Sequence, residues 1–279
     1  MDKVKQAVNA LPPLGQLVSA SQLYAKKSLG QNFLFDLNLT AKIAQQTTID
    51  KGTIIEVGPG PGGLTRSLLT QTNAQIIAVE KDRRAISFLN HLTEAADGRL
   101  QLEEADALKA SLWEYGEAPR AIIANLPYNI ATTLLMNWLS HASEFTHLTL
   151  MFQKEVAQRI CASPSTSAYG RLSIMCQWLA DCELLFDIPP EAFVPAPKVT
   201  SSVVMLKPLK AVRYECDKDT LERVTAKAFS QRRKMMRASF KNHGGAAMLE
   251  KIGIDPSIRP QDLPIEAFCA LARHLEGHI

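Results

Sequence analysis

Residues 53–69, TIIEVGPGPGGLTRSLL, contain the elements that decide the fold. The β-branched apolar run from Thr53 to Val57 predicts a buried strand, and Leu64 to Leu69 begins a helical pattern. Between them lies the glycine-rich stretch 56–63, which we call the glycine loop. Glycines let the backbone approach a ligand closely, and the start of the following helix presents free N–H groups. The stretch therefore predicts a nucleotide-like ligand at a strand-to-helix turn.

The same alternation of strand and helix continues toward the C-terminus. Helices are predicted at 84–92 and 132–138, and strands at 75–79, 100–103, 121–124 and 148–152. Because a βαβ series with right-handed crossovers builds a parallel doubly wound sheet, we predict a Rossmann-like α/β domain. Residues 202–206 follow a proline-rich segment and could add a late antiparallel strand to this sheet.

Composition divides the chain into three predicted parts. Pro12 and Pro13 interrupt a mildly apolar start, so residues 1–21 are predicted to form a flexible N-terminal extension. Residues 22–209 contain all the strand patterns and form the predicted Rossmann-like domain. Residues 210–279 show only helical patterns separated by glycines and prolines, which predicts a smaller C-terminal helical domain.

Length, charge and cysteine spacing limit the class of protein. With 279 residues, of which 46% are hydrophobic, the chain can bury a full core. Its formal net charge is +3, and no apolar run approaches the roughly 18 residues that cross a bilayer. The five cysteines contain no C-x-x-C pair. We therefore expect reduced thiols, no zinc or other metal site, and a cytoplasmic protein that does not bind membranes.

Acidic residues occur at the ends of three successive predicted strands. Glu80 follows the second strand at a spacing that suits the two hydroxyls of a ribose, and Asp106 follows the third. Any one of Glu56, Glu80 and Asp106 alone is best explained as a solvated acid. Together, beside the glycine loop, they favour an adenosyl ligand. The glycine loop also matches G-x-G-x-x-G, so a nicotinamide oxidoreductase stays open as an alternative.

The sequence Asn125-Leu126-Pro127-Tyr128 directly follows the apolar strand pattern 121–124. Open α/β sheets bind ligands at the C-terminal ends of their strands, so these side chains are candidates for the reaction. Asn supplies an amide acceptor and donors, Pro a rigid backbone without an N–H, and Tyr a flat face for a base. The combination indicates chemistry on the amino group of a nucleobase. A purely structural explanation is also open. In it the four residues only lead out of the strand, Asn125 caps the next helix and Tyr128 packs under a loop.

These motifs resemble those of the S-adenosylmethionine-dependent rRNA adenine N6-dimethyltransferases. The resemblance covers about residues 22–275 and includes the glycine loop, Glu80, Asp106 and the N-L-P-Y motif. Further segments resemble family motifs in the same order, namely 26–34 (KKSLGQNFL), 153–156 (QKEV), 169–173 (YGRLS) and 193–199 (FVPAPKV). Within the family, the chain is most similar to the bacterial branch that modifies 16S rRNA.

The resemblance implies S-adenosyl-L-methionine as the cofactor and 16S rRNA, within the small ribosomal subunit or its precursor, as the partner. The cofactor-binding candidates are Asn32, Leu34, Gly58, Gly60, Glu80, Asp106 and Asn125. Lys26 and Lys27 are candidates for contact with RNA phosphates, although they could equally solvate an N-terminal arm. The expected oligomeric state is a monomer.

The chemistry of adenine suggests a role for each residue of the N-L-P-Y motif. The lone pair of N6 is delocalised into the ring, so acceptors that hold both amino protons favour the pyramidal, nucleophilic form. The Asn125 side-chain oxygen and the Leu126 carbonyl are the candidate acceptors, and Pro127 favours an extended Leu126. Tyr128 would stack on the base. Phe193 is the candidate second aromatic wall, although a Phe near prolines is also typical of loop packing.

The second chemical feature is the basic segment 226–242, AKAFSQRRKMMRASFKN, which contains no acid. Its cations are Lys227, Arg232, Arg233, Lys234, Arg237 and Lys241. One continuous helix would place four of them on one face and Phe229, Met236 and Phe240 in an apolar stripe. A solvated or membrane-surface helix can show the same pattern. In this chain the pattern favours contact with the phosphates of structured RNA.

The resemblance thus implies an enzyme that transfers methyl groups to N6 of two adjacent adenines in a 3′-terminal hairpin of 16S rRNA. The product would be N6,N6-dimethyladenosine, and the modification would serve small-subunit biogenesis. Two alternatives on the same fold stay open: a 23S rRNA dimethyltransferase of the macrolide-resistance type, and a mainly non-catalytic ribosome-assembly or transcription factor. The basic C-terminal segment and the Gly-Pro-Gly sequence favour the 16S enzyme.

Overall fold

The computed structural model describes residues 2–26 and 29–279, and the chain forms two compact units. The first unit contains the chain up to Ala157 together with Glu183–Pro208. The second unit contains Gln158–Cys182 and Leu209–Ile279. This division differs from the predicted continuous domain over residues 22–209, because residues 158–182 belong to the second unit.

A seven-stranded sheet forms the centre of the first unit in the order β4-β3-β2-β5-β6-β9-β7, and β1 pairs with β8 in a separate ribbon. The strands are β1 (Phe33–Leu34), β2 (Thr53–Val57), β3 (Gln75–Glu80), β4 (Leu100–Glu104), β5 (Arg120–Asn125), β6 (His147–Gln153), β7 (Ala180–Ile188), β8 (Phe193–Val194) and β9 (Ser201–Pro208). The strand order reverses between β2 and β5, which is where open α/β sheets bind ligands.

The parallel part of the sheet confirms the predicted Rossmann-like fold. Strands β4, β3, β2, β5 and β6 pair in parallel, and the five residues of β2 are all buried. Strand β9 is antiparallel to β6, from Leu148↔Leu206 to Gln153↔Ser201, as the pattern at 202–206 suggested. Strand β7 has no sequence prediction, because its residues ADCELLFDI follow no clear apolar alternation.

Helices connect the strands and form the second unit. The helices are α1 (Asp2–Asn9), α2 (Leu14–Ser21), α3 (Leu37–Ala44), α4 (Gly63–Gln71), α5 (Arg83–Ala95), α6 (Tyr128–Leu139), α7 (Lys154–Cys161), α8 (Arg171–Leu179), α9 (Lys218–Ser230), α10 (Met236–Ser239), α11 (Gly245–Lys251) and α12 (Ile265–Leu275). Asp36 and Asp82 cap the N-termini of α3 and α5 by accepting main-chain N–H groups. Over residues 2–26 and 29–279, no helix is both long and apolar enough to span a membrane.

The N-terminal residues are folded, so the predicted flexible extension over residues 1–21 is wrong for the part that the structure describes. Helices α1 and α2 bury apolar side chains in the first unit, namely Val4, Val8, Leu14 and Val18. The guanidinium of Arg66, 4% exposed, donates a 2.9 Å hydrogen bond to the Pro12 carbonyl. Pro12 and Pro13 thus separate two packed helices, and they do not mark a disordered stretch.

The second unit is built from helices packed around an apolar core. Helix α9 packs against α8 and α12, and its Leu221 and Val224 are fully buried. Tyr169 is also buried, and its hydroxyl donates a 3.1 Å hydrogen bond to the Leu263 carbonyl. The 169–173 motif is therefore a turn that leads into α8, with its tyrosine inside the unit.

Candidate active site

A cavity of about 240 Å³ opens at the sheet edge where the parallel strands end. The predicted site residues that line it are Asn32, Leu34, Gly58, Gly60, Glu80, Asp106, Asn125, Leu126 and Pro127. Tyr128 and Phe193 lie outside this lining. The fold thus brings the glycine loop, the strand-end acids and most of the N-L-P-Y motif to one cavity at the switch between β2 and β5.

The glycine loop turns sharply between β2 and α4, where a positive φ favours glycine at Gly60 and a close main-chain approach requires it at Gly63. Gly60 has φ of +53°, and a Cβ there would lie 3.1 Å from the ring of Phe33. A Cβ on Gly63 would lie 2.5 Å from the carbonyl oxygen of Leu34. A larger residue at Gly63 would displace the main chain of Leu34, which itself lines the cavity.

Glu80 ends β3 with a carboxylate that binds main-chain donors. Its side chain accepts hydrogen bonds from the N–H groups of Gly60 at 3.2 Å, Lys81 at 2.8 Å and Asp82 at 2.8 Å. Burial, the largest influence, raises the pKa of this carboxyl, while these hydrogen bonds lower it. A carboxylate has about four acceptor sites, so Glu80 can also accept a hydroxyl group of a ligand.

Asp106 follows β4 and forms an ion pair with Lys81, whose Nζ lies 2.8 Å from Oδ2. The N–H of Leu108 donates to Oδ1 at 3.1 Å. The bond with Lys81, followed by the bond from Leu108, lowers the pKa of Asp106. An ionised carboxylate here can accept a hydrogen bond from a purine amino group, and the exposed Leu108 supplies apolar surface beside it.

Glu56 lines the cavity, and from the sequence it has no predicted role apart from its place in the group of three strand-end acids. It belongs to β2, its side chain is 1% exposed, and Oε2 has no hydrogen-bond partner among the described residues. Burial, and secondarily the charge of Glu80, raise the pKa of Glu56 to about 8, while the Thr65 hydroxyl lowers it. The carboxyl is therefore mostly protonated at neutral pH. An acid inside the otherwise apolar strand TIIEV is the signal that marks it.

Asn125, the last residue of β5, contacts the N-terminal motif. Its Nδ2 donates a 3.2 Å hydrogen bond to the main-chain carbonyl of Asn32. The ribbon of β1 and β8, in which Leu34 pairs with Phe193, holds this part of the chain in place. Because the hydrogen bond orients the amide, Oδ1 is the acceptor that Asn125 leaves for a ligand.

The rest of the N-L-P-Y motif forms the exit from β5 into α6. Leu126 is buried, and Pro127 is the N-cap residue with φ of −59° and ψ of 125°. No side chain of the described residues caps α6, and the Asn125 amide donates to Asn32 instead, so the alternative in which Asn125 caps a helix does not apply. Tyr128 is half-buried, and its hydroxyl lies 2.6 Å from the Ser201 hydroxyl. Burial raises the pKa of Tyr128, so the phenol keeps its proton at neutral pH.

Phe193 does not form a second aromatic wall in this structure, contrary to the prediction. Its side chain is 2% exposed and belongs to the hydrophobic core of the first unit. Side chains alternate along a strand, so the pairing of β8 with β1 turns Phe193 inward and Val194, 55% exposed, outward. The alternative of loop packing accounts for this residue.

The basic segment 226–242 is not one helix, so the predicted common face of Lys227, Lys234, Arg237 and Lys241 is wrong. Helix α9 ends at Ser230 and α10 begins at Met236, with a turn at 231–235 between them. Met236 fixes this break because its side chain is fully buried and its N–H donates a 2.8 Å hydrogen bond to the Ile258 carbonyl. Tertiary packing therefore overrides the helical period that the sequence suggests.

The cations of this segment still form a basic surface. Arg232, Arg233 and Lys234 are exposed and border a recess at the turn. Arg232 is anchored by a hydrogen bond to the Ser167 carbonyl, whereas Arg233 and Lys234 form no ion pair with a carboxylate of the described residues. The other predicted RNA-binding residues differ in exposure. Lys26, Arg237 and Lys241 are exposed, whereas Lys227 is half-buried. Lys27 lies outside the described residues.

The polar groups of the cavity fit S-adenosyl-L-methionine. Glu80 suits the ribose hydroxyls, Asp106 suits the adenine amino group, and the glycine loop permits close approach of the ligand. The unpartnered Glu56 Oε2 is a buried polar atom of the lining that a hydrogen bond from a ligand would satisfy. When bound, this cofactor supplies an electrophilic methyl group.

Known proteins are similar in sequence to almost the whole chain. The model of the ribosomal RNA adenine dimethylase family matches residues 22–276. Ribosomal RNA small subunit methyltransferase A of Paramagnetospirillum magneticum is 52% identical over 273 residues, which cover 96% of each chain. The protein of the same name from Rhodospirillum rubrum is 51% identical over 271 residues, which cover 96% of this chain and 94% of its own.

Solved structures of similar fold include two transferases. A dimethyladenosine transferase from Plasmodium falciparum has a TM-score of 0.77 and 25% identity, and it covers 88% of this chain and 98% of its own. The 23S rRNA methyltransferase ErmE has a TM-score of 0.63 and 25% identity, and it covers 88% of this chain and 100% of its own.

The chain belongs to the ribosomal RNA adenine dimethylase family. It is a Rossmann-like rRNA adenine dimethyltransferase, and its cofactor is S-adenosyl-L-methionine. The predicted fold class, enzyme class and cofactor are confirmed. The nicotinamide oxidoreductase that the glycine loop left open is excluded.

Proposed function

We propose that this enzyme dimethylates N6 of two adjacent adenines in a 3′-terminal hairpin of 16S rRNA. Relatives named for the small ribosomal subunit are about half identical over nearly the whole chain, whereas the 23S rRNA methyltransferase shares 25% identity. The observation that carries the proposal is the hydrogen bond from Asn125 Nδ2 to the Asn32 carbonyl. It leaves Asn125 Oδ1 as an oriented acceptor in the cavity that contains the cofactor-type acids.

Asn125 and Leu126 act together on the amino group of the target adenine. The Asn125 side-chain oxygen accepts a hydrogen bond from one N6–H group, and the Leu126 carbonyl accepts a hydrogen bond from the other. Leu126 is only 2% exposed and precedes Pro127, so the position of its carbonyl is set by the fold before the base arrives. Two fixed acceptors favour the pyramidal amino group over the planar one, which makes its lone pair available for attack. The displaced proton leaves to solvent after transfer.

In this proposal the cofactor is bound by two carboxylates, those of Glu80 and Asp106. Further contacts come from the main chain near Asn32, Leu34, Gly58 and Gly60. Their support is that all of them line the same cavity as Asn125. Tyr128, at the first turn of α6, stacks on the target base. Stacking of a base on an aromatic ring contributes about 1 to 3 kcal/mol and does not depend on base identity. The hydrogen bonds of Asn125 and Leu126 therefore provide the preference for adenine.

The second unit binds RNA through the basic turn at 231–235. Support comes from the exposure of Arg232, Arg233 and Lys234 and from the lack of carboxylate partners for the last two among the described residues. Unpaired exposed cations bind phosphates without reading sequence, because the affinity comes from released counterions. Lys26, Lys227, Arg237 and Lys241 are further candidate contacts, as is Lys27 from its sequence alone.

The proposed partner is the small ribosomal subunit or its precursor, which the enzyme modifies as a monomer in the cytoplasm. The names of the relatives support a small-subunit substrate. A cytoplasmic site of action follows from this substrate, since bacterial ribosomes assemble there. A contribution to subunit biogenesis beyond methylation is compatible with the basic surface of the second unit.

Labelled methyl transfer to isolated ribosomal subunits tests this function. Small and large subunits from a strain that lacks the modification are incubated with the enzyme and labelled cofactor, and the modified nucleotides are mapped. We expect label on two adjacent adenines of the small subunit only. Label on the large subunit would support the 23S alternative, and tight subunit binding without transfer would support a non-catalytic factor.

The variant Asn125→Ala tests the assigned role of Asn125 in the same assay. Loss of a preorganised hydrogen-bonding group should lower the turnover number by about 100- to 1,000-fold, while cofactor binding stays detectable by calorimetry. Asn90→Ala is the matched control, because Asn90 is exposed on α5. Unchanged turnover in Asn125→Ala would reject the role of this residue.

A further inference from the structure

The hydroxyl groups of Tyr128 and Ser201 lie 2.6 Å apart, a distance typical of a good O–H···O hydrogen bond. Ser201 is completely buried, and it is the first residue of β9. Tyr128 is the first residue of α6. The bond therefore joins two elements that are 73 residues apart in sequence.

The direction of β9 explains why a serine of this strand reaches the active-site edge. β9 runs antiparallel to β6, and its first residue, Ser201, pairs with Gln153, the last residue of β6. Asn125, the last residue of the neighbouring strand β5, pairs with Met151 of β6. The start of β9 thus lies at the same sheet edge as the ends of β5 and β6. A parallel strand in this position would bring its last residue there instead.

The hydrogen bond holds the Tyr128 ring at its far end. At its near end the ring is attached to the first turn of α6, directly after Pro127, whose φ is −59°. Burial raises the pKa of Tyr128, so the phenol keeps a proton with which it can donate or accept. A ring fixed at both ends presents its faces in one orientation before any base arrives.

We infer that Ser201 is a positioning residue, which acts through Tyr128 to preorganise the stacking surface for the target adenine. This inference rests on the proposed role of Tyr128. Ser201 has no exposed surface, and its hydroxyl is bound to Tyr128, so it touches neither cofactor nor base. Its contribution is that the ring does not have to be ordered when the RNA binds.

A double-mutant cycle of Ser201→Ala, Tyr128→Phe and their combination tests this inference. Each single variant should raise KM for the small subunit, or lower kcat/KM, by about three- to tenfold, the usual effect of one hydrogen bond. Because both changes remove the same bond, the combined variant should be no worse than either single variant. Affinity for the cofactor should not change. A general loss of structure would instead weaken cofactor binding as well. Ser201→Thr keeps a hydroxyl and should restore activity.

Ser202→Ala is the matched control, because Ser202 is also fully buried and its hydroxyl donates to Asp187 at 2.6 Å instead. A second readout uses a hairpin RNA with 2-aminopurine at the target position, whose fluorescence is quenched when the base stacks on a tyrosine. Ser201→Ala should weaken the quenching, and Ser202→Ala should not. If Ser201→Ala does not fold, Tyr128→Phe removes the same bond from the side of the half-buried Tyr128.

Two outcomes would overturn the inference. In the first outcome, the wild-type enzyme is active and both single variants show the same kinetics and the same quenching as the wild type. The other is a combined variant whose loss equals the product of the two single losses. Failure of the proposed function looks different, because the wild-type enzyme itself would then leave small-subunit adenines unmodified.

Discussion

The carboxylate of Glu80 accepts a 3.2 Å hydrogen bond from the main-chain N–H of Gly60. This bond links the end of β3 to the glycine loop after β2, so one side chain serves two parts of the cavity. The Glu80 carboxylate, which is proposed to bind the ribose, therefore also fixes the conformation of the glycine loop.

Glu80→Gln should weaken cofactor binding. Replacement of a charged acceptor by a neutral amide removes charge-assisted hydrogen bonds and puts a donor where Gly60 already donates. We expect the Kd for S-adenosyl-L-methionine to rise by about 10- to 100-fold in calorimetry. Glu104→Gln is the control, since Glu104 lies beside Glu80 on the next strand but is half exposed. Equal affinities of wild type and Glu80→Gln would contradict the assigned role.

Glu56 should make the cofactor-free enzyme less stable at alkaline pH. Its pKa is raised from 4.5 to about 8 in the folded chain, so between these values the unfolded chain releases a proton that the folded chain keeps. The free energy of unfolding therefore falls as pH rises, by up to about 1.4 kcal/mol per pH unit.

The variant Glu56→Gln tests this pH dependence, because it keeps the shape of the side chain and cannot ionise. In urea unfolding, its stability relative to wild type should increase steadily from pH 5 to pH 8. Some slope should persist in the variant, since the pKa of Glu80 is also raised. Parallel curves for the two proteins over this range would show that Glu56 ionises normally.

Arg66 should stabilise the fold through the N-terminal helices. Its guanidinium is buried and donates to the Pro12 carbonyl, so Arg66→Ala leaves that acceptor without its donor. We expect the free energy of unfolding to fall by about 1 to 3 kcal/mol and residues 2–13 to become sensitive to protease. Arg83→Ala, at an exposed position on α5, should change neither property. Protease resistance in Arg66→Ala would mean that the apolar contacts of α1 suffice.

The turn at 231–235 should supply phosphate contacts for small-subunit binding. Arg233→Gln combined with Lys234→Gln should weaken binding and reduce the slope of log K against log salt by about two. Arg232 is left unchanged because it anchors the turn to Ser167. Lys3→Gln combined with Lys51→Gln removes the same charge from exposed positions of the first unit and is the control. An unaltered salt dependence would place the RNA contacts elsewhere.

The sheet and most of the cavity could be predicted because they depend on local patterns. Buried parallel strands such as β2 are short apolar runs, and their C-terminal ends meet at one edge, which brings Glu80, Asp106 and Asn125 together. The antiparallel strand β9 was also visible as an apolar run after prolines.

Other features depend on contacts between distant residues, which no local pattern reveals. The helical period of 226–242 is broken because Met236 binds Ile258 through the main chain and packs inside the second unit. Phe193 is turned into the core by its pairing with Leu34. The hydrogen bond between Tyr128 and Ser201 likewise exists only once β9 has joined the sheet.

The excursion of residues 158–182 into the second unit has a consequence for synthesis of the chain. When β6 leaves the ribosome, its sheet neighbour β9 lies about 50 residues downstream, and the first part of the second unit is made in between. β6 is buried along almost its whole length in the finished protein, so in the nascent chain it is an unprotected apolar sheet edge. During translation, the last strand of the first unit is therefore made only after residues 158–182 of the second unit. The rest of the second unit is made only after the first unit is complete.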